Sequence, residues 1–380
     1  MEATLKSSER FNDDFLSYRD TLSLRLILAI TILLFHAGDF FAFHFYDIAY
    51  LCVAGFFFLS GYGLFYNYSH KKKYLSTFLQ KRYPAILIPF WIWGIIGCIL
   101  ITVCFATYDD FFTRFQSLFF SVPRWFVTEL LVFYLIFFVS LLMLKEKLAI
   151  LTIIVFSIVA MISLATYFDS IPYCASGMGF FIGVLWARHA DTIGVFLKKY
   201  YYGFLFVLIL LFLLHHERWE GYVGVTLFLG FKTILFVLIL FILKMKGGGR
   251  KSDMNCDIFF SLILVAGTAI CIAGLLFWND FKFFSIDYIA GLGMIFIAVL
   301  ITKIRPVDFI LSKGGIISFE IYLCHWTIFR IIQNLDFTNN VYLLVTCSIL
   351  LTIVVSIIAY TISRRILQAY NKKWDDYVSL

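Results

Sequence analysis

The sequence predicts an all-α protein, a polytopic transmembrane helix bundle of about 10–12 spans with both termini in the cytoplasm. Three observations support this fold class. Hydrophobic residues make up 62% of the 380-residue chain and charged residues only 14%, a composition too apolar for a soluble domain of this length. The apolar residues form runs of membrane length. The Lys and Arg residues concentrate in alternate loops between these runs.

Twelve apolar runs bounded by polar or charged residues can be drawn, and most approach the roughly 20 residues that a helix needs to cross a bilayer. They cover residues 22–40, 48–66, 84–106, 126–144, 148–168, 174–187, 201–214, 221–243, 257–278, 284–302, 316–332 and 341–362. Two or three of them are short, which gives the predicted range of 10–12 spans.

The distribution of basic residues predicts the topology. If the N-terminus is cytoplasmic, the cytoplasmic loops hold 24 of the 31 Lys and Arg residues, as the positive-inside rule requires. Residues 1–21 are then a cytoplasmic segment, 22–362 a single transmembrane domain, and 363–380 a cytoplasmic tail. The net charge of +7 is small and scattered, so we expect no nucleic-acid partner. The apolar runs predict a multi-pass protein of the cell membrane, with membrane lipid as a partner.

Cysteine and histidine spacing predicts no metal site. The eight cysteines show no CxxC pair, and most fall within apolar runs, where a cysteine is usually a small buried residue. His215 and His216 lie in a predicted outer loop, where a solvated position is more probable than metal ligation.

Arg25 and His36 are the first candidate site residues. Eleven residues separate them, and on an α-helix this spacing places two side chains within about 20° of one face and about 16 Å apart along the axis. Charged groups inside a membrane are usually functional. The alternative is that Arg25 extends to the cytoplasmic interface and His36 ends the helix. An Arg suits phosphate recognition, and a His further along the helix suits general-base catalysis.

Other polar or small residues interrupt the apolar runs. Gly55, Gly61 and Gly63 permit close approach of a ligand or of another helix. Glu129 and Glu320 are carboxylates within predicted helices, which must be paired, protonated or in contact with water. Plausible partners are Arg25, Lys232 and Arg124, and the sequence does not choose among them. For His325, a structural and a catalytic role are equally open.

In combination, these motifs resemble the membrane-bound acyltransferase-3 family. The similarity lies in the following segments: Arg25 and His36, FFFLSGYGLF at 56–65, KRYP at 81–84 with PFW at 89–91, WFVTEL at 125–130 with Tyr134, GFFIG at 179–183, and SFEIYLCH at 318–325. They appear in the family's order over about 300 residues. One departure is Ile86, which stands where the family usually has a second Arg before the proline of the third helix, so Arg82 is expected to take more of that contact.

The resemblance implies a set of site residues. His36 and Glu129 would be catalytic, and Arg25, Arg82, Ser60 and Gly61 would bind the acyl donor. The other candidates are Tyr62, Trp125, Glu320, Tyr322 and His325. No permanently bound cofactor is expected, because the family uses an acyl-CoA, here most plausibly acetyl-CoA, as donor substrate.

The implied function is O-acyl transfer from cytoplasmic acyl-CoA to a hydroxyl of a cell-surface or lipid-linked glycan. Two alternatives stay open at the level of the sequence. Twelve spans with cytoplasmic termini are also typical of a transporter or flippase, although no internal repeat supports one. A non-catalytic membrane subunit of a polysaccharide synthesis machinery is the second alternative.

Overall fold

The computed structural model describes residues 16–41, 49–105, 125–168, 176–195, 305–335 and 337–378. These residues form helices and turns, with no β-strand among them. The α-helices are α1 (Tyr18–Phe41), α2 (Ala49–His70), α3 (Phe78–Phe105), α4 (Trp125–Met143), α5 (Glu146–Phe168), α6 (Met178–Arg188), α7 (Arg305–Gly314), α8 (Ser318–Leu335) and α9 (Val341–Val378). Short 3₁₀ turns at Tyr74–Thr77 and Gly315–Ile317 lead into α3 and α8.

The predicted all-α class and the polytopic helix bundle are confirmed, while the span count and the cytoplasmic termini stay predictions. Within the described residues, six helical segments are long and apolar enough to cross a membrane: Tyr18–Gly38, Tyr74–Cys104, Trp125–Met143, Glu146–Phe168, Phe309–Leu335 and Val341–Lys372. They coincide with the first, third, fourth, fifth, eleventh and twelfth predicted spans. The helix α2 covers the second. The predicted spans at 201–214, 221–243, 257–278 and 284–302 lie outside the described residues.

Three predicted boundaries differ from the structure. The helix α6 has 11 residues and is therefore about 16 Å long, half of what the bilayer core requires. The third helix begins at Phe78 rather than near Pro84, and it continues through Pro84 and Pro89. The last helix has 38 residues, about 57 Å, so it is longer than the hydrocarbon core. Runs of apolar residues locate the part of a helix in lipid, not its polar ends.

The start of α1 is fixed by a capping box. The Ser17 side chain accepts a hydrogen bond from the Asp20 backbone N–H at 3.3 Å, and Asp20 accepts one from the Ser17 backbone N–H at 2.9 Å. This reciprocal pair satisfies donors that have no partner within the helix. Because Asp20 is fully buried, the cap also sets where α1 enters the bundle.

Glycines bring α2 and α6 into close contact. A Cβ at Gly179 would overlap the carbonyl oxygen of Ala54, and a Cβ at Gly183 would overlap that of Phe58. Two glycines four residues apart form a flat strip on which a second helix packs without intervening side chains. This contact explains the GFFIG segment in physical terms and places the short helix α6 firmly against α2.

The helix α8 connects several parts of the described bundle. α8 packs on α1, α3 and α9, while α7 and the turn that follows it pack on α1. A Cβ at Gly315 would overlap the carbonyl of Leu22, so this turn also requires a residue without a side chain. On another side of the bundle, the Tyr83 hydroxyl of α3 donates to the Leu131 carbonyl of α4 at 2.9 Å. The helix α1 is thus packed against segments that lie almost 300 residues further along the chain.

Candidate active site

A small, partly open cavity of about 110 Å³ lies between α1, α2, α4 and α8. Its lining consists of Ile32, Phe35, His36, Ala49, Val53, Trp125 and Tyr322. The wall is mostly aliphatic and aromatic, and its polar groups are an imidazole, an indole and a phenol. A small apolar space with a few convergent polar groups is typical of a ligand site.

His36 lies in the second-to-last turn of α1, where aromatic rings of α8 contact it. Its ring stacks on His325 with a centroid distance of 5.1 Å and an interplanar angle of 22°. The edge of Trp326 meets the same imidazole at 5.3 Å and 85°. Two different contacts from one helix therefore fix the orientation of the His36 ring at the cavity wall.

The contacting face of α8 follows from helical spacing. Tyr322, His325 and Trp326 are separated by three and four residues, so they lie together on one side of the helix. The Tyr322 ring is held by Phe126 of α4 at 5.1 Å. The structure thus brings four predicted site residues, His36, Trp125, Tyr322 and His325, to one place.

The hydrogen bond at His325 assigns its tautomer. Nδ1 of this ring lies 2.7 Å from the backbone carbonyl of Tyr322 and 3.3 Å from that of Ile321. A carbonyl oxygen only accepts, so Nδ1 must carry the proton, and in the neutral ring Nε2 keeps the lone pair. His325 is buried, with 4% of its surface exposed.

The two predicted donor-binding arginines form a second cluster. Arg25 lies within electrostatic range of Arg82 and Tyr134. Arg82 donates from Nε to the Tyr74 hydroxyl at 3.1 Å, and its guanidinium lies 5.6 Å from the centre of that ring. Among the described residues, no carboxylate forms an ion pair with either arginine. Cations without a carboxylate partner favour the binding of an anion in their neighbourhood.

Arg25 and the cavity share one face of α1. Arg25, Ile32 and His36 lie within about 40° of each other around the helix, and Arg25 is about 10 Å along the axis from Ile32. Neither Arg25 nor Arg82 lines the cavity. Ile32, which is 1% exposed, stands between the arginine cluster and the space beside His36.

Glu129 lies apart from the cavity. It is fully buried on α4, and neither carboxylate oxygen has a hydrogen-bond partner among the described residues. One oxygen points at Gly177, where a Cβ would overlap it, and Met161 of α5 lies on the same side. Gly177 immediately precedes α6, so the carboxyl group lies beside the N-terminus of that helix. The catalytic role of Glu129 stays a prediction.

The remaining predicted residues lie in packed surroundings. A Cβ at Gly61 would overlap the Phe180 carbonyl of α6, so helix packing accounts for this glycine. Tyr62 stacks between Phe58 and Tyr66, with centroid distances of 6.4 and 5.8 Å. Ser60, which precedes Gly61, is partly exposed. Glu320 is buried in the first turn of α8, where the helix dipole stabilises a carboxylate. None of these four residues lines the cavity.

Sequence reasoning missed five residues around His36. Four of them line the cavity and the fifth contacts the ring: Ile32, Phe35, Ala49, Val53 and Trp326. Helical spacing could have found Ile32, four residues before His36, and Trp326, next to His325. Ala49 and Val53 share a face of α2, but nothing in the sequence says that this face meets His36.

The fold and the cavity define an integral membrane helix bundle with a small site. The family model described as an acyltransferase domain matches residues 23–214. The chain therefore belongs to the acyltransferase-3 family, as its motifs predicted, and is a membrane acyltransferase. Searches of curated proteins and of solved structures found no match. The matched region contains most of α1 and all of α2 to α6, whereas α8 lies beyond it and still supplies Tyr322 to the cavity.

Proposed function

We propose that this acyltransferase moves an acetyl group from cytoplasmic acetyl-CoA to a hydroxyl of a cell-surface or lipid-linked glycan, with His36 at the reacting centre. The observation that carries the proposal is the placement of His36. Its imidazole lies in the wall of a small cavity, Arg25 lies further along the same face of α1, and Arg82 of α3 lies within electrostatic range of Arg25. This arrangement provides a site for an anion and a base for a hydroxyl at two depths of one helix.

The arginine cluster supports a donor that carries phosphates. Arg82 lies in the second turn of α3, which follows α2 through the turn containing Lys71, Lys72 and Lys73. The positive-inside rule predicts this end of the bundle to be cytoplasmic. Coenzyme A carries several phosphate charges, and guanidinium groups bind phosphate oxygens through paired hydrogen bonds. The pantetheine arm of coenzyme A is long enough to extend from this cluster to the height of His36.

The size and lining of the cavity support acetyl as the transferred group. An apolar cavity of about 150 Å³ accommodates benzene in another protein, and the cavity here is smaller, about 110 Å³. This volume suits a two-carbon acyl group better than a fatty acyl chain. A succinyl group would bring a carboxylate, and the described part of the lining contains no Lys or Arg to pair with it.

The aromatic residues of the lining fit a sugar acceptor. Trp125 and Tyr322 present flat apolar rings beside His36 together with an N–H and an O–H donor. Such side chains combine an apolar body with a polar end. A sugar presents apolar C–H faces and hydroxyl groups, so both parts of these side chains have a counterpart.

The chemistry requires one proton acceptor near the hydroxyl. The hydroxyl oxygen of the acceptor attacks the thioester carbonyl carbon, a C–O bond forms, and the C–S bond breaks. His36 takes the hydroxyl proton and returns it to the departing thiolate of coenzyme A, so the imidazole is regenerated. A variant of this route places the acetyl group on His36 first and transfers it to the hydroxyl in a second step.

The test is the O-acetyl content of cell-surface glycans, measured by mass spectrometry in a deletion strain. The strain is complemented with the wild-type gene, with His36→Ala, or with His70→Ala as a control. His70 lies at the exposed end of α2. We expect wild type and His70→Ala to restore acetylation and His36→Ala to fail at an equal membrane level. Full acetylation with His36→Ala would remove His36 from the reaction.

The same strains separate transfer from transport. A flippase would change the amount of exported glycan and leave its acetyl content per sugar unchanged. A glycan that is acetylated equally with and without the gene would overturn the proposed reaction.

A further inference from the structure

We infer that His325 is a positioning residue for acyl transfer: its neutral ring face orients His36 and stabilises the imidazolium that His36 becomes when it accepts the hydroxyl proton. This inference rests on the proposed function. It concerns a residue that lies 289 positions from His36 in sequence and outside the region 23–214 that matches the family.

The imidazole rings of His36 and His325 form a stack. The rings of His36 and His325 are nearly parallel, with centroids 5.1 Å apart. A cation within about 6 Å of an aromatic face is attracted by the ring quadrupole, and this attraction is larger where water is excluded. The imidazolium form of His36 would lie in that position over His325.

His325 is held in place and in one tautomer. Its Nδ1–H donates to the Tyr322 carbonyl at 2.7 Å, and the ring is 4% exposed. Phe329, one turn further along α8, also contacts the ring of His325, in a T-shaped arrangement with centroids 6.0 Å apart. The hydrogen bond and this contact restrict rotation of the His325 ring when the charge on His36 changes.

Two imidazolium rings at this separation would repel each other strongly in an interior that excludes water. The pair therefore binds at most one proton in excess, and during transfer that proton is the one that His36 takes from the hydroxyl, because His36 lines the cavity and His325 does not. Among the described titratable side chains, His325 and Tyr322 face His36 at close range, and Arg25 is about 16 Å along α1.

The experiment compares aromatic and aliphatic replacements of His325. His325→Phe keeps a ring face, whereas His325→Leu fills similar space without one, and His325→Met is a second aliphatic replacement if the Leu variant does not accumulate. We expect the Phe variant to retain kcat within about 3-fold. The aliphatic variants should lose about 10-fold or more in kcat, as for a cation–π contact in a desolvated site, with the KM for acetyl-CoA little changed. Equal kcat in the Phe and Leu variants would overturn the inference.

A second measurement does not depend on acyl transfer. Diethylpyrocarbonate modifies the neutral imidazole, so its rate of reaction at His36, followed by peptide mass spectrometry at pH 6, reports the neutral fraction. The aliphatic variants should react faster at His36 than wild type and His325→Phe. Equal rates in all proteins would contradict the inference even if transfer is active. If wild type transfers no acetyl group while these rates differ as expected, the proposed function fails and the coupling of the two rings stands.

Discussion

Enlarging the cavity beside His36 should widen the range of acyl groups that the enzyme transfers. Val53 lies on α2, is 4% exposed, and lines the cavity. Val53→Ala removes two methyl groups from the wall, which adds room for about two carbon atoms to a space of about 110 Å³. Propionyl and butyryl groups exceed acetyl by one and two carbons, so these are the donors that the variant should gain.

The expected change in the preference between acyl donors follows from the free energy of fitting one extra methylene group into the cavity. A pocket that excludes a single methylene discriminates by about 1–3 kcal/mol, or roughly 10- to 200-fold in kcat/KM. We expect wild type to prefer acetyl-CoA over propionyl-CoA within this range, and Val53→Ala to reduce the preference by about 10-fold or more. The free energy of unfolding should fall by about 1–2 kcal/mol, since the substitution removes little buried volume next to an existing cavity.

The assay is competition between acetyl-CoA and propionyl-CoA, with the acylated products separated by mass spectrometry. The control is Val345→Ala on α9, which removes the same two methyl groups at a buried position that does not line the cavity. The control should keep the wild-type preference. If Val53→Ala and Val345→Ala show the same preference as wild type, the cavity is not the acyl site.

Two further predictions concern the arginine cluster and the contact between α2 and α6. Arg25→Gln should raise the KM for acetyl-CoA by about 10-fold or more, because the loss of one charge-assisted hydrogen bond weakens binding by about that factor. The effect on kcat should be smaller. An unchanged KM in CoA-release kinetics would remove Arg25 from the donor site. Gly183→Ala should lower the thermal unfolding midpoint in detergent, because the added Cβ would overlap the Phe58 carbonyl. The control is Gly63→Ala. Gly63 has open space around it, so this variant should leave the midpoint equal or higher. A Gly183→Ala variant as stable as Gly63→Ala would contradict the described packing.

The sequence was sufficient to predict the bundle because membrane spans depend on local properties. Apolar length alone placed the helices that begin at Tyr18, Trp125, Glu146 and Val341. It failed where polar turns extend a helix, as at Phe78–Tyr83 at the start of α3, and where a short helix is buried by its neighbours, as with α6. Both depend on tertiary packing, which a window of hydropathy does not contain.

The candidate site was predictable only in part. The spacing of Arg25 and His36 fixed a shared face of α1 from the sequence alone. The stacking of His36 on His325 could not be derived in this way, because it depends on how α8 packs against α1. Gly61 shows the opposite case. A glycine within a helix permits a ligand or another helix equally well, and only the Phe180 carbonyl beside it identifies the neighbour.

The central claim is that His36 is required for transfer of an acyl group delivered as a thioester. It is tested most directly with purified protein in lipid vesicles, by following release of the free thiol of coenzyme A from acetyl-CoA in the presence of a glycan acceptor. Wild type should release thiol in step with acetylation of the acceptor, and His36→Ala should do neither at an equal amount of folded protein. A His36→Ala protein that acetylates the acceptor at the wild-type rate would contradict the account.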